Sequence, residues 1–250
     1  MNRKTINKQS IRGRYHESIT ESLFARIAGD LVAQGIRVVA LAHDPRPSSE
    51  PLCHAFVQGF IRSGGDVLLL GTMPTPMLHH YAVMQSIDCS VMITASHNPV
   101  SDNGLKIFST SGFKQIDIER LQSVISPHIG TVREVGATAK SSYIDALNSR
   151  FKISRRKCLV DTARGVWDDH LDVLEALDID VVHQKDACRI NQDSGCLEPS
   201  IRLNSGYDLV VMVDGDGDRL SLISQNKILD GDDIMHILFN QQPQSMVGSV

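Results

Sequence analysis

Two consecutive three-layer α/β/α domains, each on a mixed, mainly parallel sheet, are the fold this sequence predicts. Three observations carry that expectation. Apolar runs of strand length alternate with helical patterns, the signature of βαβ units. The same grammar starts again after a polar stretch near residue 130. A chain of 250 residues has room for two cores of ordinary size.

Ser18 and Glu21 have capping-box spacing, and Leu23, Ile27 and Leu31 follow at helical intervals, so a helix opens the first block. "IRVVALAHD" reads as a strand, and "SEPLCHAFVQGFIRSGG" as a helix closed by glycine. "DVLLLG" is again a strand, "PTPMLHHYAVMQ" a helix with proline in its first turn, and Cys89 to Ile93 an interior strand. The polar segment "HIGTVREVGATAKSS" is the expected border, giving a first domain over residues 1–138 and a second over 139–240.

The second block runs through "KCLVD" (strand), Val166 to Leu177 (helix), "DIDVVH" (strand) and "DLVVMVDGDGDR", a strand leading into an acidic loop. "LSLISQNKILDGDDIMHILF" reads as a hairpin turning at Gln225-Asn226, then a helix capped by Asp232 or Asp233. Residues 241–250, with Met246 to Val250 strand-like, read as the cut-off start of a third domain.

Composition excludes several classes. With 42% apolar and 22% charged residues the chain is neither disordered nor fibrous. A net charge of -4 gives no electrostatic reason to bind nucleic acid or an anionic membrane, so any phosphate must be gripped locally. Five scattered cysteines without a Cys-x-x-Cys suggest neither a disulfide framework nor a zinc site, and point to reduced thiols in the cytoplasm. "MNRKTINKQS" lacks the apolar core of a signal peptide, and no apolar run approaches a membrane span.

The strongest chemistry lies in "VDGDGDR". Asp214, Asp216 and Asp218 alternate after a strand, so their carboxylates share a side, and Gly215 and Gly217 let the chain curl around a cation. Such hard oxygen ligands suit Mg²⁺. An EF-hand also alternates acids, but Arg219 stands at its sixth position and Gln225 at its twelfth, and a strand precedes the loop. Arg219 beside the carboxylates leaves a cation to meet an anion, and metal plus anion suggests phosphate. The hydroxyl that could carry a phosphoryl group is Ser96, in "VMITASHNPVSDNGLKIF" at the tip of the interior strand. Alone, Ser-His-Asn-Pro is ordinary turn chemistry. Beside the acidic loop it becomes a candidate site.

Together these residues resemble the α-D-phosphohexomutases, which include phosphomannomutase/phosphoglucomutase and phosphoglucosamine mutase. "TASHNP" is similar to their phosphoserine loop, "DGDGDR" to their magnesium loop, and "SIRGR" to their N-terminal arginine motif. "HDPRPSS" and "MPTPML" resemble further first-domain motifs, all in the family's order. The resemblance implies that Ser96 carries the phosphoryl group, and that Asp214, Asp216, Asp218 and a phosphoserine oxygen hold Mg²⁺. It makes Arg12, Arg219 and Lys106 phosphate contacts, and His97 and Lys106 candidates for proton transfer. Read without the family, His97 could satisfy turn carbonyls, Lys106 could be a solvated strand-edge charge, and Arg12 a surface arginine.

The implied activity is a phosphoserine-dependent isomerisation between hexose 6-phosphate and 1-phosphate through a bisphosphate. The partners it implies are a sugar phosphate and a hexose bisphosphate, with no nucleic acid and no membrane. "RINQDSGCLEP" leans toward the phosphoglucosamine mutases, with phosphomannomutase/phosphoglucomutase as the alternative. The chain departs from the family at Arg164, where asparagine is usual, and in lacking the third and fourth domains. Two expectations follow: a mutase half that shows little turnover alone and pairs with a separate chain supplying the remaining domains, or a non-catalytic binding or regulatory protein on the same scaffold.

Overall fold

The computed structural model describes residues 7–241 apart from 88, 110–115, 123, 125, 152–155, 177–178, 184–189, 191–195, 204, 208 and 230. Its first sheet contains β1 (Asn7–Arg14), β2 (Val38–His43), β3 (Asp66–Thr72), β4 (Cys89–Ile93), β5 (Asp102–Ser109) and β6 (Val132–Glu134). Their spatial order is β1-β5-β4-β2-β3-β6. Strands β4, β2, β3 and β6 run parallel, while β5 and β1 close one side antiparallel.

Strand alternation fixes the layers. Val39 and Leu41 of β2 pack into one buried cluster with Phe24, Ile27, Phe56 and Phe60, which belong to α1 (Glu21–Ala33) and α2 (Ser49–Arg62). Ala40 and Ala42 face the other way, onto Met77 and Leu78 of α3 (Thr75–Met84) and Ala139 of α4 (Gly136–Arg150). Helices α1 and α2 touch so closely that a Cβ at Gly59 would lie 2.3 Å from the Ala25 carbonyl oxygen. The cap of α1 differs from the expected one: Thr20, not Ser18, is extended and accepts from the Leu23 N–H at 3.2 Å. Ser18 lies two residues too early, in the turn closed by N–H bonds to the Arg14 carbonyl.

The border expected between residues 138 and 139 falls inside α4, whose Ala139, Tyr143 and Leu147 pack on the first domain's sheet side. Beyond it lies the second sheet, of β7 (Arg156–Asp161), β8 (Ile179–His183), β9 (Leu209–Val213), β10 (Leu220–Ser224) and β11 (Lys227–Leu229), in the order β11-β10-β9-β7-β8. Strands β8, β7 and β9 are parallel, and β10 and β11 antiparallel. Gln225 and Asn226 turn the β10–β11 hairpin at φ 49° and 60°, the left-handed pair a tight hairpin requires.

The helix expected over Val166 to Leu177 is broken into a 3-10 turn (Val166–Asp169) and the short α5 (Asp172–Glu175). The break falls at His170, which leaves the helical region at φ -132°, while the Thr162 hydroxyl donates to Asp168 in the preceding turn. The last helix, α6 (Gly231–Gln241), starts at Gly231, so Asp232 and Asp233 lie in its first turn rather than at its cap. Residues 242–250 and most of "RINQDSGCLEP" lie outside the described residues. Among the described residues, no helix is long and apolar enough to cross a membrane.

The two sheets share a seam. Val166 and Val173 join the same buried cluster as Met77, Leu78 and Ala139. His170 Nε2 donates to the Thr72 carbonyl at 2.9 Å, and Lys140 Nζ meets Asp172 at 2.6 Å.

Candidate active site

Strand β4 ends at Ile93, and the chain turns through Thr94 and Ala95 to Ser96, which is fully buried with a left-handed φ of 55°. A β-carbon makes that conformation unfavourable, so the surroundings must impose it. The Ser96 N–H is taken by Thr94 Oγ1 at 2.7 Å, and its carbonyl accepts from Arg46 Nη2 at 2.8 Å. Arg46 is 2% exposed and pairs with Asp44, Nε to Oδ2, at 2.9 Å. Asp44 also receives the Arg46 N–H and the hydroxyls of Ser49 and Thr94. Burial raises the Asp44 carboxyl above the usual carboxylate range, a shift that Arg46 and these hydroxyls offset only in part. With only donors facing it, the group has the surroundings of an ionised carboxylate.

The acidic loop follows β9 and comes to the serine from the second domain. The ligand oxygens of Asp214, Asp216 and Asp218 lie within 4.8 Å of one another. Ser96 Oγ donates to Asp214 Oδ2 at 2.6 Å. Thr75, at the start of α3, binds Asp216 twice, through Oγ1 to Oδ2 at 2.7 Å and through its N–H to the carbonyl at 3.0 Å. Lys106 Nζ lies 2.6 Å from Asp216 and 2.7 Å from Asp218. Gly217 has φ +70°, and a Cβ there would sit 2.3 Å from Trp167 Nε1, so glycine is required on both counts.

Crowded carboxylates shift one another. Burial and then the Asp216 charge push Asp214 up to about 6. Asp216 feels burial too, but the Lys106 ammonium and hydrogen bonds from Lys106 and Thr75 hold it below the usual carboxylate range. Among the described residues, Asp216 Oδ1 is buried without a hydrogen-bond partner. An orphaned carboxylate oxygen beside two more carboxylates fits a hard divalent cation.

Cations gather on the adjoining side. His97 Nδ1 lies 2.7 Å from Arg219 Nη1. Arginine can only donate, so Nδ1 is the acceptor and a neutral ring carries its proton on Nε2. Partial burial, followed by the charges of Arg219, Arg12 and Lys106, holds His97 below the usual histidine range. Arg12 stands on β1 opposite Gly104, and its Nε is buried without a partner among the described residues. Three cations and an unused donor can receive a multiply charged anion.

The structure thus joins Ser96 to Asp214, Lys106 to Asp216 and Asp218, and His97 to Arg219, with Arg12 near enough to act on His97. Lys106 is not a solvated edge charge: it is 1% exposed, because β5 turns it toward the acidic loop while Leu105 and Ile107 face the α1–α2 core. Sequence reasoning did not single out Arg46, Thr75, Thr94 or Trp167. Arg46 lies inside "HDPRPSS", Thr75 inside "MPTPML" and Thr94 opens "TASHNP", so a signal existed for these three, but only as part of motifs.

A buried serine hydroxyl of one α/β domain, presented to a carboxylate triad of a second and flanked by arginine and lysine, defines a class of protein suited to handling phosphate esters. Residues 3–126 match the family model of phosphoglucomutase/phosphomannomutase, alpha/beta/alpha domain I. A phosphoglucosamine mutase of Beijerinckia indica subsp. indica is 31% identical over 94% of this chain, and one of Alcanivorax borkumensis 30% identical over 98%. Among solved structures, a phosphoglucomutase/phosphomannomutase family protein of Burkholderia thailandensis superposes with a TM-score of 0.75 over 93% of this chain, at 21% identity and 58% of its own length. The chain belongs to the α-D-phosphohexomutase superfamily. It spans 58% and 61% of the length of the two phosphoglucosamine mutases.

Proposed function

We propose that this protein carries the phosphoserine half-site of a hexosamine-phosphate mutase, an intramolecular phosphotransferase interconverting hexosamine 6-phosphate and 1-phosphate. The observation that carries the reading is the 2.6 Å contact between Ser96 Oγ and Asp214 across the domain seam. The choice of sugar rests on relatives that are phosphoglucosamine mutases.

Asp214, Asp216, Asp218 and an oxygen of phosphorylated Ser96 are the residues that would hold Mg²⁺. Bound there, the ion would supply neutralisation of the phosphoserine charge. The chain's own groups do the rest. A sugar hydroxyl attacks phosphorus, its O–P bond forms as the Ser96 Oγ–P bond breaks, and its proton passes to a base. Return of the other phosphoryl group from the bisphosphate to Ser96 regenerates the phosphoserine. Arg12 and Arg219 neutralise the phosphate dianion. Lys106, held between two carboxylates, is an ammonium that balances charge and must lose a proton before acting as a base. His97 can take up a proton at Nδ1 only once Arg219 releases that nitrogen, which an arriving phosphate favours by drawing the guanidinium to itself.

Incubation with glucosamine 1,6-bisphosphate and Mg²⁺, followed by mass spectrometry, tests the reading. Phosphate is expected on Ser96 and none on a Ser96→Ala variant. Label on another residue, or no label while a full-length phosphoglucosamine mutase labels readily, contradicts it.

A further inference from the structure

Every N–H donor of the buried Arg46 side chain is used, and all but one go to the serine loop. An arginine has five such donors in a rigid planar fork. Nε donates to Asp44 Oδ2 at 2.9 Å. Nη1 donates to the carbonyls of Pro99 at 2.5 Å and Asp102 at 3.0 Å. Nη2 donates to those of Ser96 at 2.8 Å and Asn98 at 2.7 Å. Four carbonyls of residues 96–102 therefore converge on one guanidinium. The guanidinium is in turn fixed by Asp44, whose other bonds reach Ser49 of α2 and Thr94 at the root of the same loop.

We propose that Arg46 is the positioning residue of the phosphoryl-transfer site, holding Ser96 in its left-handed conformation so that Oγ points at the carboxylate triad. An unsupported chain would relax Ser96 to negative φ, where an L residue is more stable, and swing its hydroxyl away. The loop's own N–H bonds are all local and cannot by themselves fix the loop: Asn98 to Ala95 and Asp102 to Pro99 close turns, and the Ser96 N–H reaches only Thr94 Oγ1, two residues back. Lysine at position 46 would keep the charge beside Asp44 but has no planar fork to span four carbonyls. The phosphoryl-transfer part of the inference rests on the mutase reading. The conformational part does not.

The test compares the full chain with Arg46→Lys, Ser96→Gly and the double variant, by urea denaturation and by hydrogen exchange of the peptide covering residues 95–102. Glycine adopts φ near +55° without restraint. If Arg46 works by holding Ser96, Arg46→Lys should lower the folding equilibrium constant severalfold less in the Ser96→Gly background than in the wild type, a non-additive cycle. In Arg46→Lys the loop peptide should exchange about tenfold faster while peptides of α1 and α2 do not change. Phosphoryl uptake on Ser96 should fall about a hundredfold and stay low at saturating bisphosphate, the mark of misplacement rather than weak binding.

Additive stability effects with unchanged loop exchange would overturn the proposal. Should Arg46→Lys alone not fold, a folded double variant supports the proposal, and an unfolded one makes Arg46 a general prop and overturns it. If the wild type takes up no phosphate, the mutase reading fails, and the cycle and the loop exchange still decide the role of Arg46.

Discussion

The serine loop and the acidic loop both extend the C-terminal ends of parallel strands, β4 and β9, the usual place for a ligand site in an open α/β sheet. They are stabilised in opposite ways. The serine loop is fixed from within its own domain: Arg46 and Asp44 are both buried, and each donor of the Arg46 side chain has an acceptor. The acidic loop gathers like charges and leans on the other domain, through Thr75, Ser96 and Lys106. Among the described residues, it keeps a buried carboxylate oxygen without a partner. One half is preorganised, and the other stays short of positive charge. That difference suits a nucleophile that must not move next to a site that must accept an ion.

The contrast is tested most severely by removing the acids. Replacing Asp214, Asp216 and Asp218 together by asparagine should abolish a single Mg²⁺ site seen by calorimetry in the wild type, and equal binding by both proteins would refute the triad as its location. Lys106→Met leaves the buried Asp216, beside the exposed Asp218, without its cation, which should cost about 3–5 kcal/mol in urea denaturation without metal. Added Mg²⁺ should return part of that loss, because a ligand bound only by the folded state stabilises it. A variant as stable as wild type in chelator would show that Lys106 does not balance the loop.

Gly217→Ala should cost about 1–3 kcal/mol and weaken Mg²⁺ binding, since the new methyl meets Trp167 in a left-handed backbone. Full stability with an unchanged isotherm would mean that Trp167 does not seat the loop.

The smallest effect belongs to the seam. Burial holds His170 below the usual histidine range, despite its bond to Thr72. A depressed base contributes stability above its unfolded pKa, near 6.5, and loses it as pH falls through the lower folded value. The denaturation midpoint should therefore fall between pH 7 and 5 more steeply in wild type than in His170→Gln. Parallel curves would remove His170 from the seam's energetics.

Much of this was legible in residue order. Strand alternation in β2, the interior run of β4 and the hairpin at Gln225-Asn226 are local patterns, and local sterics enforce them. The three aspartates announced themselves by their alternate spacing after a strand, and Ser96, in an ordinary turn sequence, became a candidate only beside them. Other features depended on distant partners. Thr20 displaced Ser18 as cap because the chain first turns back on Arg14, and the helix expected from Val166 broke at His170, which the seam engages through Thr72.

By itself the sequence determined two α/β domains, a serine and an acid triad each at a strand end, and the residue types able to handle a phosphate. Only the tertiary structure decided that Lys106 is buried between two aspartates, that Thr75 latches the acidic loop, and that Arg46 grips the serine loop. The reason is physical. Secondary structure and turn chemistry are set by neighbours a few residues away, whereas these contacts join residues about 50 to 140 positions apart. Whether a charge at such a position ends in water or in a dry ion pair depends on which surface the folded chain lays over it.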